Sequence, residues 1–77
     1  MLKDMVEFIV KRLVDYPEAV VVNEISGETA TIIELRVAPD DLGKVIGKEG
    51  RTARSLRTLI HAAATKAKKR AVLEILE

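Results

Sequence analysis

Along residues 2–15 the apolar positions Leu2, Met5, Val6, Ile9, Val10 and Leu13 recur at the i, i+3, i+4, i+7 spacing, which predicts an amphipathic helix with one face turned to a core. Tyr16-Pro17 ends it, because the residue before a proline is pushed out of the α region and the chain leaves extended. Phe8 falls off the stripe and is expected at the edge of the core. The pattern then changes period. Residues 19–25 and 29–37 are rich in β-branched side chains and flank Ser26-Gly27-Glu28, which predicts a hairpin. Alternation in the second run sets Thr31, Ile33, Leu35 and Val37 on one face, toward the helices, with Glu34 and Arg36 outward. In the first run Val20-Val21-Val22 offers apolar groups to both faces, and Val20 and Val22 are assigned inward.

A short helix, Leu42 to Ile46, should follow Pro39-Asp40-Asp41, where a proline at the first helical position and acids in the first turn suit the positive helix end. Gly47 is its natural stop. A longer helix over residues 51–69 carries Ala53, Leu56, Leu59, Ile60, Ala63, Ala64 and Ala67 on one broad arc, with Arg54, Arg57, His61 and Lys68 along a flank. The alanines permit close approach of another helix, within the core or between subunits. Residues 66–70 form a basic turn that the negative helix end favours without any ligand. Residues 71–76 read as a third strand with Leu73 and Ile75 inward. The expected order is α-β-β-α-α-β, an α+β fold with a three-stranded mixed sheet and three helices packed on one face.

Composition narrows the function classes. Seventy-seven residues make one domain, residues 1–77, with a core small enough to welcome burial against a second copy. The chain has no cysteine, so disulfides and zinc-thiolate sites are excluded. Apolar runs are short and broken by charge, and no apolar leader precedes a cleavage site, so a cytoplasmic protein without a membrane role is expected. Net charge is only +1 but unevenly spread: residues 1–38 hold four Lys/Arg against seven Asp/Glu, while residues 43–70 hold nine against Glu49 alone. A basic end of that kind favours a polyanionic partner.

The candidate chemistry lies in Val45-Ile46-Gly47-Lys48-Glu49-Gly50-Arg51. A glycine on each side of Lys48-Glu49 lets the backbone turn sharply and lets a bulky partner approach, while free N–H groups open the next helix. Arg51, Arg54 and Arg57 crowd that helix start, where the dipole disfavours cations, and a bound phosphate would remove the conflict. A Walker A loop is excluded, because the glycine spacing is one residue short and ends in Glu49 rather than a hydroxyl. Nor is there a nucleophile, base and orienting acid to act together. His61, without cysteine, second histidine or acid cluster beside it, reads as a surface residue. No enzyme activity, metal or cofactor is expected. Two aromatics, Phe8 and Tyr16, are too few for a base-stacking platform.

This loop between two helices, in an α-β-β-α-α-β chain, resembles a KH domain of the bacterial, type II order, and with Pro39-Asp40-Asp41-Leu42-Gly43-Lys44 ahead of it the chain is similar to the KhpA (YlqC) family of small RNA-binding proteins. The resemblance implies single-stranded RNA clamped by Gly47, Lys48, Glu49 and Gly50, in a bacterial RNA chaperone or post-transcriptional regulator. It also implies homodimers, and pairing with a larger KhpB (Jag) protein that carries a KH domain and a second nucleic-acid-binding domain. Glu49 departs from the basic or neutral pair of many such loops. In this reading Lys48, Arg51, Arg54 and Arg57 neutralise phosphates, the amides of Gly50, Arg51 and Thr52 receive one phosphate, and Ile46 with second-strand residues floors a groove. The competing readings are a helix-turn-helix DNA-binding protein and a dimerisation module with a vestigial loop.

Overall fold

The computed structural model describes residues 2–77. Helix α1, Leu2–Lys11, buries Leu2, Val6 and Val10, with Met5 and Ile9 packed beside them. Its positive end is held by a strand residue: the Lys3 N–H donates to Glu24 Oε1 at 3.3 Å, a carboxylate where the helix dipole favours one. The helix is shorter than the apolar spacing implies. After Lys11 the Arg12 and Leu13 N–H groups reach back only to the Ile9 and Val10 carbonyls, which tightens the last turn. Leu13 is thereby turned outward and exposed, and Val14 takes the place against the core. Phe8 is not at the core edge either. It is 58% exposed, and the Arg12 guanidinium sits 3.7 Å from its ring centroid, a cation–π contact within one helix.

Strands β1, Val21–Ser26, and β2, Thr31–Arg36, pair antiparallel with Val22 opposite Leu35 and Ser26 opposite Thr31. The turn occupies residues 27–30 and is closed by the Gly27 N–H donating to the Ala30 carbonyl at 2.8 Å, so the second strand starts later than its composition implies. Strand β3, Ala71–Ile75, lies parallel to β2, giving the order β1-β2-β3. Because β2 is central, its inward residues Ile33 and Leu35 lose all exposure. Val20, Val22, Val37 and Leu73 are buried as the alternation predicts, and Ile75 is half-buried. Val21, Ile25 and Val72 stay exposed on the sheet's other face.

Helix α2, Leu42–Ile46, follows a single 3-10 turn over Pro39–Asp41. The two acids of that turn part company. Asp40 is exposed, but Asp41 is fully buried and makes no capping bond to α2. Its Oδ1 accepts the Asp15 N–H at 3.1 Å and its Oδ2 the Tyr16 N–H at 2.9 Å. It is thus a clamp on the chain as it leaves α1, rather than an acid serving its own helix. The exposed pair Lys44–Asp15, at 3.6 Å, spans the same junction.

Helix α3, Arg51–Lys66, buries Ala53, Leu56, Ile60 and Ala64. These take the middle and one side of the expected arc; Leu59, at its other margin, is exposed, and so is Ala67, which lies past the last helical residue as the C-cap. The helix stops before the basic turn is complete. Lys68 adopts φ 60°, and the Lys68 and Lys69 N–H groups donate back to the Thr65 and Ala64 carbonyls at 3.0 and 2.8 Å. That is a Schellman closure with lysine where glycine is usual. The Arg70 carbonyl then accepts the Thr31 N–H at 2.8 Å and ties the helix end to the sheet.

Candidate nucleic-acid interface

The loop between α2 and α3 is shaped by three departures from ordinary backbone. Gly47 has φ 76° and ψ 171°, a region essentially restricted to glycine. A Cβ there would collide with the Thr52 side chain and lie 2.8 Å from the Thr52 nitrogen, so this position is closed both by torsion and by space. Glu49 lies in the left-handed region at φ 57°, and Gly50 follows at φ 73°, ψ 15°. Among the described residues nothing lies within 4 Å of a Cβ built on Gly50. There the glycine serves the torsion alone and leaves open space beside the chain.

Hydrogen bonds hold the bend from within. The Gly47 N–H donates to the Gly43 carbonyl at 2.8 Å and the Gly50 N–H to the Gly47 carbonyl at 3.1 Å, and the Arg51 N–H bonds the Lys48 carbonyl. Two of the three amides expected to meet a phosphate, those of Gly50 and Arg51, are therefore already engaged in the turn. Anion attraction at this end falls mainly on side chains. Lys48, Arg51, Arg54 and Arg57 are all exposed. Among the described residues the ion pair at the loop is Arg51–Glu49, at 4.0 Å with both side chains largely exposed. Such a pair is worth little in water and yields readily to a phosphate. Lys48, Arg54 and Arg57 pair with no carboxylate among the described residues.

Beside the loop lies an open hollow of about 260 Å3, lined mainly by Leu42, Ile46, Ala53, Arg57, Ile75 and Glu77. Ile46 does line it, but the strand beside it is β3 rather than β2. The inward residues of β2, Ile33 and Leu35, are fully buried in the core, and Arg36 at its end, with Val37 just beyond, lines an adjoining hollow together with Pro39 and Leu42. Ile75 and Glu77 line this hollow although the sequence pattern does not place them beside the loop. The inward assignment of Ile75 is the available signal, and the parallel crossover that sets β3 against α3 is the missing step. The loop residues Gly47 and Thr52 are half-buried and Lys48 and Glu49 project into solvent, so the arrangement combines a narrow bent backbone, free cations and a mostly aliphatic trough. It offers no cluster of metal-ligating side chains among the described residues.

An α-β-β-α-α-β chain with a parallel β2–β3 pair and a glycine-bounded loop between its second and third helices has the type II KH fold. The family model described as KhpA/KhpB, KH domain matches residues 3–75, and the chain belongs to that family. Proteins named RNA-binding protein KhpA are similar to it over nearly their full length. That of Caldanaerobacter subterraneus subsp. tengcongensis is 59% identical over 73 residues, covering 95% of this chain and 97% of the relative. That of Aquifex aeolicus is 59% identical over 76 residues, 99% of this chain and 96% of the relative. That of Clostridium perfringens is 55% identical over 75 residues, 97% and 100% respectively.

Proposed function

We propose that this chain is a non-catalytic RNA-binding protein that grips single-stranded RNA at the Gly47–Gly50 loop and acts in the bacterial cytoplasm as an RNA chaperone or post-transcriptional regulator. The observation that carries this reading is the set of free cations, Lys48, Arg54 and Arg57, around a bent backbone that opens onto an aliphatic trough. Lys48, Arg51, Arg54 and Arg57 neutralise the sugar-phosphate chain. Gly47 and Gly50 let it come close, and Thr52 shapes the loop from beneath. Ile46 and Ile75 receive the bases, which fits a chain with few rings to stack on. The relatives' names support the same reading. A major-groove reader fits less well, since β3 runs beside the start of the helix that would have to enter the groove.

Competition at fixed salt tests it. Single-stranded RNA is expected to displace a labelled RNA far better than duplex DNA does, because the loop admits one strand and the bases must be splayed. Equal displacement by the duplex would overturn the assignment.

The proposal extends to partners: a homodimer through α3, and pairing with a larger KhpB (Jag) protein. Leu59 is 50% exposed on that helix and Ala62 is exposed beside it, an apolar strip without use in the monomer. Leu59→Arg should change stability by about 0.5 kcal/mol or less, since the site is exposed, yet turn dimers into monomers in sedimentation velocity. A parent protein that already sediments as a monomer at high micromolar concentration would end the homodimer proposal.

A further inference from the structure

A second group of cations stands at the opposite end of α3 from the glycine loop. Lys68, Lys69 and Arg70 follow one another in the link to β3 and, with residues 26–31 of the hairpin turn, line a hollow of about 450 Å3. Among the described residues Glu28 is the one carboxylate on its wall. All three cations are exposed, and among the described residues none of them forms an ion pair. Helix α3 runs from one hollow towards the other. Arg54, Arg57 and His61 are exposed and three or four residues apart, the spacing of neighbours along a helix face. Arg57 also lines the trough beside the glycine loop. The sixteen residues of α3 include no acid, so the row is interrupted by no opposing charge of its own helix.

The helix dipole accounts for lysines near a helix end. It does not account for Lys68 in particular. That residue holds φ 60°, where a side chain is disfavoured and glycine is the usual occupant of the same Schellman position. A cation kept at a backbone position that glycine would fill with less strain, on the wall of a concave basic hollow, points to a ligand for the charge.

We propose that this hollow is a second phosphate site, which takes the backbone of the same RNA strand after it has left the trough and followed the Arg54–Arg57–His61 side of α3. This rests on the RNA-binding reading above. The strand would run about 24 Å along the helix, from its rise of 1.5 Å per residue, so a strand only as long as the glycine loop holds cannot reach.

The test is a titration of labelled oligouridylates of about four and about 14 nucleotides against the parent, Lys68→Gly, and Lys68→Gly/Lys69→Ala/Arg70→Ala. The parent should prefer the longer strand. The triple variant should bind the long strand about tenfold more weakly, with its salt slope flattened by about 2 because three cations no longer meet phosphates, and the short strand within about twofold of the parent. Lys68→Gly alone should melt at or above the parent temperature and still lose affinity for the long strand, which no folding defect could produce. Equal weakening on both lengths, or none on the long strand, would overturn the second site and leave the glycine loop's role intact. A parent that binds neither strand would overturn the RNA-binding reading and this one with it.

Discussion

Asp41→Ala is expected to lower the unfolding free energy by about 3 kcal/mol, a large fraction of what a domain of this size holds. The side chain is fully buried, and both of its oxygens accept backbone N–H groups, from Asp15 and Tyr16. Bonds to an ionised acceptor each contribute about 1.5–3 kcal/mol, and removing the carboxylate leaves both donors without it. Water offsets part of the effect, since Asp15 and Tyr16 are not themselves buried, which is why the sum is not the full pair. Asp41→Asn should fall between parent and alanine, because an amide offers one carbonyl where two acceptors are needed. Urea denaturation followed by circular dichroism reads both variants as a shift in midpoint at constant slope. A midpoint for Asp41→Ala equal to the parent's would mean that the α1 exit is held by something else.

Asp41 also marks where the sequence stops being legible. Its neighbours Pro39 and Asp40 do open a helical turn, as local chemistry implies. The partners of Asp41, however, lie 25 and 26 residues earlier in the chain, and no periodicity connects them. The same limit explains Leu13. It continues the α1 stripe by spacing, yet the bonds to Asp41 pull the chain out of the helix before it can use that face. By contrast, Ile33 and Leu35 are readable because a central strand between two others needs only a period of two. The α+β order and the loop position are readable for a similar reason, since proline, glycine and β-branched runs punctuate the chain locally. The trough is half legible: Ile46 follows from its place beside Gly47. Ile75 and Glu77 depend on a parallel crossover that brings residue 75 back beside residue 53.

Replacing Lys48 and Glu49 together by aspartate is expected to weaken RNA binding by about thirtyfold, while the fold survives. The two glycines that the bend requires are untouched. Glu49 occupies the left-handed region at φ 57°, which aspartate enters more readily than glutamate, so the turn is not weakened by the exchange. Both positions are exposed, and stability should move by about 0.5 kcal/mol or less. Binding changes for a different reason. Lys48 is a cation without a partner among the described residues, and a charge-assisted bond to phosphate is worth about 2 kcal/mol, which is the thirtyfold. Shortening residue 49 also releases Arg51 from the exposed pair at 4.0 Å, which returns a cation to the loop and offsets part of the added negative charge. The salt slope should therefore flatten by about 0.7, the share of a single lysine on a single-stranded backbone, and no further. Thermal melting of the double variant, and titration of single-stranded RNA at two salt concentrations, separate the two effects. A folded variant with the parent's affinity and salt slope would show that the Gly47–Gly50 loop is only a turn, and the RNA would have to be held elsewhere on the molecule.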